Sequence, residues 1–123
     1  MDINGQTTAV QFQSPGEVTA TATTSAIDVS EYRGRIKLVQ QVGTVSGSSP
    51  TLDGKVQDSA DGSTDWQDVT DATFTQVTAS DALESIGVEQ RGVRKYIRYV
   101  GTVGGSSPTF DLAVLAVGTK QNQ

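Results

Sequence analysis

Apolar residues in this chain recur at every second position. In Arg35–Val45 (RIKLVQQVGTV), Ile36, Leu38 and Val42 share one face, and Lys37, Val39, Gln41 and Val45 share the other. Such alternation is the mark of a half-buried strand. Thr51–Asp58 aligns Leu52, Gly54 and Val56, and Leu83–Glu89 alternates Leu83, Ser85 and Gly87 with Glu84, Ile86 and Val88. Arg94–Val103 is a second long strand. Thr109–Val117 puts Phe110, Leu112, Val114 and Ala116 on one face and Leu115 and Val117 on the other, so burial on both sides is expected. Shorter strands are read at Ala9–Gln13, ended by Ser14-Pro15-Gly16, and at Val18–Thr24, Ala26–Val29, Trp66–Val69 and Asp71–Thr78. No stretch holds a 3.6-residue period over three turns. The pattern predicts an all-β fold: a single antiparallel β-sandwich, jelly-roll or immunoglobulin-like, with about eight to nine strands and no secure helix. Residues 1–8 read as a flexible N-terminal arm, 9–120 as the sandwich and 121–123 as a loose tail.

One phrase occurs twice. VGTVSGSSPTLDGKV at Val42–Val56 returns as VGTVGGSSPTFDLAV at Val100–Val114. The echo extends upstream: Arg33-Gly34 matches Arg91-Gly92, Lys37 matches Lys95, and Val39 matches Ile97. It reads as a repeated β-hairpin with GSSP as the turn of each copy. Two copies are too few for a solenoid. They belong to one sandwich, in the same sheet or facing each other across the core. The preferred reading is architectural, because Gly and Pro at matched turn positions have local steric reasons. The functional alternative makes Ser48, Pro50, Ser106 and Pro108 a paired contact surface at one end, since binding often sits on loops held by a rigid scaffold.

Composition narrows the chemistry. The chain of 123 residues has no Cys and no His, which removes disulfides, thiolate metal sites and the commonest general base. An enzyme is therefore not expected. The formal net charge of −5 argues against nucleic acid, whose phosphates call for a surplus of Lys and Arg. The opening MDINGQTTAV has neither the basic nor the apolar part of a signal peptide. No apolar run approaches the roughly 20 residues of a membrane span, so no membrane partner is expected.

Two charged features remain. Asp58, Asp61 and Asp65 surround Gly62 and are the candidate ligands for a hard cation such as calcium. Their spacing does not fit an EF-hand, and the preferred reading is a solvated acidic loop with no metal or cofactor. Seven of the nine Lys and Arg residues, Arg33, Arg35, Arg91 and Arg94 among them, cluster at the starts of the two repeated strands. They are either an exposed strand face paired with nearby acids or a basic patch that docks on an acidic partner. Trp66, the only Trp, reads as core or interface; Tyr96 and Tyr99 point to opposite faces of one strand, so at most one of them is buried in the core.

The Asp61-Gly62-Ser63 loop leading to Trp66, the ATFTQVT strand, the Lys95-Tyr96-Ile97-Arg98 strand and the twice-used GSSPT segment resemble the small head decoration, or cement, proteins of tailed bacteriophages. The resemblance covers about residues 20–118. It implies a β-sandwich on the capsid exterior, a homotrimer bound to the major capsid protein, and a shell stabilised against the pressure of packaged DNA. Such a protein is assembled in the host cytoplasm and resides in the virion. The family has no catalytic residues to carry over, and its contact residues do not transfer by motif. The alternative reading is a carbohydrate- or receptor-binding sandwich module of a phage tail, motivated by Trp66, Tyr96, Tyr99 and the acidic loop.

Overall fold

The computed structural model describes residues 7–120. Among the described residues seven strands run in chain order: β1 (Thr7–Val18), β2 (Ala22–Thr23), β3 (Ile27–Asp28), β4 (Tyr32–Ser59), β5 (Gln67–Thr73), β6 (Ala82–Glu89) and β7 (Tyr96–Lys120). A single 3-10 turn at Gln90–Gly92 is the helical element among the described residues. Every strand pairing is antiparallel. Most of the arm and the whole tail expected from the sequence, residues 1–6 and 121–123, lie outside the described residues. Thr7 and Thr8, expected in the arm, already pair with Thr119 and Gly118.

The two echoed segments do not form two hairpins. Each lies within one very long strand, 28 residues in β4 and 25 in β7, and the two strands pair with each other along their whole length. Ser48 stands opposite Ser106, so the repeat meets itself at its own equivalent position. Register shifts flank this pair on both sides, and Gly47, Ser49, Gly105 and Ser107 all have positive φ. GSSP is thus a bulged corner, where an extra residue bends a strand without ending it. The sequence signal for a turn was sound, but its two arms take partners from the other copy.

The paired corners fold one sheet into two facing layers. In the first layer β1, the end of β7, the start of β4 and β6 lie side by side. In the second, β2 and β3, the start of β7, the end of β4 and β5 do so. Leu38, Val42, Leu112 and Val114 from the first layer and Leu52, Val56, Ile97 and Tyr99 from the second close the core. One polar pair lies inside. The Tyr99 hydroxyl donates to Gln40 Oε1 at 2.5 Å, joining the layers, and burial raises the pKa of Tyr99. Gly54 makes room for it, since a Cβ there would collide with both side chains.

Other expectations shift in detail. β1 continues through Ser14-Pro15-Gly16 with two bulges, which an edge strand permits because proline's missing N–H faces away from the ladder. The strands read at Trp66–Val69 and Asp71–Thr78 become β5 plus a segment that bonds differently. Phe74 N–H donates to Gly54 O at 2.8 Å, and Val77 forms an isolated bridge with Leu52. The echo also conceals a one-residue offset. A bulge between Val42 and Val45 puts Val39 on the outer face, whereas Ile97, its match in the sequence, is fully buried.

A Cβ on Gly47 would lie 2.6 Å from Ser107 O, and one on Gly105 would lie 2.6 Å from Ser49 O. Gly34 also has positive φ but open space around it. Gly47→Ala or Gly105→Ala is therefore expected to cost about 3 kcal/mol, from strain plus collision with backbone. Gly34→Ala is expected to cost about 1 kcal/mol, from conformation alone. Urea midpoints measured on the three variants check the ranking. Tyr99→Phe leaves Gln40 Oε1 buried without its partner and is expected to cost about 1–3 kcal/mol. The double variant Gln40→Leu with Tyr99→Phe should recover part of that loss in the same measurement.

Candidate functional site

The residues singled out in the sequence fall at opposite ends of the sandwich. Ser48, Pro50, Ser106 and Pro108 sit together at the corner, where Ser48 pairs with Ser106 and the hydroxyls of Ser46 and Thr109 touch. Ser48 and Ser106 are exposed, and the two prolines are half-buried. Arg33, Arg35, Arg91 and Arg94 lie at the other end, which we call the base. There Val29 N–H donates to Lys95 O at 2.8 Å, and Gln90 Nε2 reaches Val29 O, so the 3-10 turn carrying Arg91 packs beside the segment entering β4. At about 3.3 Å per residue, roughly 40 Å of strand separates Arg35 from Ser48. They do not form one surface.

Within the base, Arg94 is a structural clamp. Its Nε and Nη2 donate to Asp58 Oδ1 at 3.1 and 3.0 Å, and Nη2 also reaches the carbonyl oxygens of Asp58 at 2.7 Å and Asp65 at 2.8 Å. Its own N–H donates to Asp58 Oδ2 at 3.0 Å. Fork-shaped pairing of this kind suits arginine's planar donors. Arg94 is thus taken up inside the chain. Arg35 pairs with Glu89 at 2.9 Å, both well exposed, a contact of small energetic weight. Arg33 and Arg91 are exposed and form no ion pair among the described residues.

The three candidate metal ligands do not converge. Asp58 faces Arg94, and Asp65 bonds the same arginine at 3.4 Å. Asp61 instead closes its own turn. Oδ1 accepts from the N–H groups of Ser63 and Thr64, both at 2.9 Å, and Oδ2 from the Thr64 hydroxyl at 2.8 Å. Those bonds, the two backbone donors first, hold its carboxyl well below the usual range. Beneath it the buried Ser59 hydroxyl donates to Thr64 O at 2.6 Å and accepts from Gly62 N–H at 3.1 Å. Among the described residues no group of three His, Cys, Asp or Glu side chains could hold a metal ion. The acidic loop is a self-capped turn latched to Arg94.

Trp66 is not part of the core. It is half-buried, with the Arg98 guanidinium over its ring at 4.1 Å, while Arg98 also donates to Gln57 Oε1 at 2.8 Å. Tyr99 is fully buried, and half-exposed Tyr96 packs over Gly62. The opposite orientation of these two tyrosines was readable from their spacing.

The sequence reading missed an open cleft of about 360 Å³ between the segment Thr75–Ser80 and the start of β6. Glu84 Oε1 closes one side by accepting from Thr75 N–H at 2.8 Å. Leu83, on its rim, is 71% exposed. Alternation placed both residues on a strand, but nothing in the sequence marked the neighbouring segment as leaving the ladder to open a cleft.

No family model and no curated protein matches this chain. Solved structures share its fold. The SPBc2 prophage-derived protein YomS superposes with a TM-score of 0.53 at 16% identity, over 93% of each chain. The infectious bursal disease virus VP2 subviral particle gives 0.57 at 12% identity over 94% of this chain, which spans only 33% of that one. A CBM4 structure gives 0.50 at 15% identity, over 94% of this chain and 71% of that one. At these identities the likeness establishes the sandwich fold.

Arg94→Ala is expected to destabilise the protein by about 2 kcal/mol, because it strands the largely buried Asp58 carboxylate. Arg91→Ala should stay within about 0.5 kcal/mol. Chemical denaturation of both variants measures the difference.

Proposed function

We propose that this chain is a non-catalytic structural protein of a virus particle, acting as a bacteriophage head decoration or cement protein. The observation that carries the reading is the whole-chain fold likeness to the prophage-derived YomS, end to end in both proteins. The likeness to part of a VP2 chain from a subviral particle supports it, because a sandwich of this shape there belongs to a protein that builds particles. The sequence resemblance to decoration proteins supplies the finer points. They are attachment to the major capsid protein on the shell exterior, a homotrimer that assembles on the shell at three-fold positions, and reinforcement against DNA pressure. Contacts of this kind use shape and charge, and the exposed corner and the unpaired Arg33 and Arg91 are the features offered to a capsid surface.

A carbohydrate- or receptor-binding tail module is the second reading, favoured by the CBM4 likeness and by partly exposed Trp66. The aromatic geometry supports it less. Tyr99 is enclosed, Trp66 has one face under Arg98, and Tyr96 covers Gly62.

Copy number separates the two. Quantitative mass spectrometry of purified particles from the source is expected to give a ratio to the major capsid protein near one or a simple fraction of it. A few copies per particle would favour the tail module, and absence from particles would overturn both readings.

A further inference from the structure

We propose that the outer face of the first layer is a contact surface for a second copy of this chain, turned end for end. The inference stands apart from the virion reading, since it rests on one sheet face and its charges.

Residues opposite each other in an antiparallel ladder share a face, so the registers define what that surface presents. Across β6, β4 and β7, Leu83 stands beside Gln41 and Ala113, Ser85 beside Val39 and Leu115, and Gly87 beside Lys37 and Val117. Leu83, Val39, Leu115 and Val117 thus form one apolar patch, and none of them belongs to the core or packs against it. Leu83 is 71% exposed, and the other three are only half-covered.

The second layer serves as an internal control. It is built on the same two strands, yet its outer face pairs Asp53 with Thr102, Lys55 with Val100 and Gln57 with Arg98. Five of these six residues are polar and the sixth, Val100, is buried, as is usual for an antiparallel sheet facing water. The apolar outer face is therefore specific to the first layer and is not required by the fold.

The charges around the patch identify its occupant. Arg33 and Lys37 lie at its base end, and Asp111, paired with Glu17, lies at its corner end. All four are exposed, and none forms an ion pair among the described residues. About 20 Å separates the Lys37 row from Asp111 at strand rise. A face basic at one end, acidic at the other and apolar between is complementary to itself. A two-fold axis lying in the contact plane and crossing the strands lays the base of one copy over the corner end of the other. Lys37 then meets the acidic end, and the patch meets itself, as an isologous interface requires. Four strands spaced about 4.8 Å apart over about 25 Å give a footprint on the order of 500 Å² per copy. This is below the roughly 800 Å² of a standard interface, so a dissociation constant in the micromolar range is expected.

Sedimentation of the purified full chain tests the contact, from about 1 to 500 µM at low salt. The expected result is a monomer–dimer equilibrium that weakens with added salt. Lys37→Glu and Asp111→Lys should each weaken it by about fivefold or more, and the double variant should return it to within about twofold of the original. Leu115→Asp should abolish it. Thermal melts of each variant confirm that the fold is intact. A chain that stays monomeric throughout, a trimer without a dimer, single reversals without effect, or a double reversal that fails to restore association would each overturn the proposal. A monomer found at capsid copy number in particles would overturn this contact and leave the virion reading standing.

Discussion

Two glycines, each pressed against the backbone of the other strand, hold this structure in shape. Gly47 lies against Ser107 and Pro108, and Gly105 against Ser49 and Pro50, with nearly the same spacing. At this crossing β4 and β7 pass together from one layer to the other. A single bent strand would lose its partner at the bend and leave backbone groups unpaired. Two strands that bulge in concert stay paired through the corner, so the cost of turning is confined to a few residues with positive φ. The identical GSSP segments follow from this constraint, because each corner must fit the other.

From that corner the approximate symmetry spreads into the core and then breaks. Gln40 and Tyr99 occupy matching inner positions on the two strands and bond to each other across the layers. Their outer neighbours diverge. A one-residue bulge between Val42 and Val45 shifts which residues of β4 face outward, and Val39 emerges where its echo Ile97 is buried. The inner face is alike in both halves because both close one core. The outer faces have no such common requirement, and there one layer has become apolar and dipolar while the other has stayed polar.

Charge is distributed by the same logic. The clusters that stand out in the sequence, three aspartates around Gly62 and basic residues around the start of each long strand, prove to be partly one structure. Arg94 holds Asp58 and the carbonyl of Asp65, and Asp61 caps the intervening turn. These bonds pin the loop where β4 leaves the sheet. Arg33, Lys37, Asp111 and Glu17 form no ion pair among the described residues, and nothing in the sequence relates the two bases to the two acids. They acquire meaning from their positions at the ends of a face.

The amino-acid sequence alone specifies the class of fold. Period-two alternation and the lack of helical spacing suffice for an all-β chain, since side-chain direction in a strand depends only on position parity. It also determined most inner-face residues, the opposed tyrosines and the special geometry at GSSP, because Gly and Pro act locally. Whether GSSP ends a hairpin or bends a strand was decided by tertiary structure. Both have the same local conformation needs and differ only in which distant strand supplies the hydrogen bonds. The same holds for Arg94, whose partner Asp58 is far away in sequence and becomes adjacent only when β4 and β7 pair. The outer face of the first layer likewise exists only once β6, β4 and β7 lie side by side, for no single strand carries the patch or both of its charged ends.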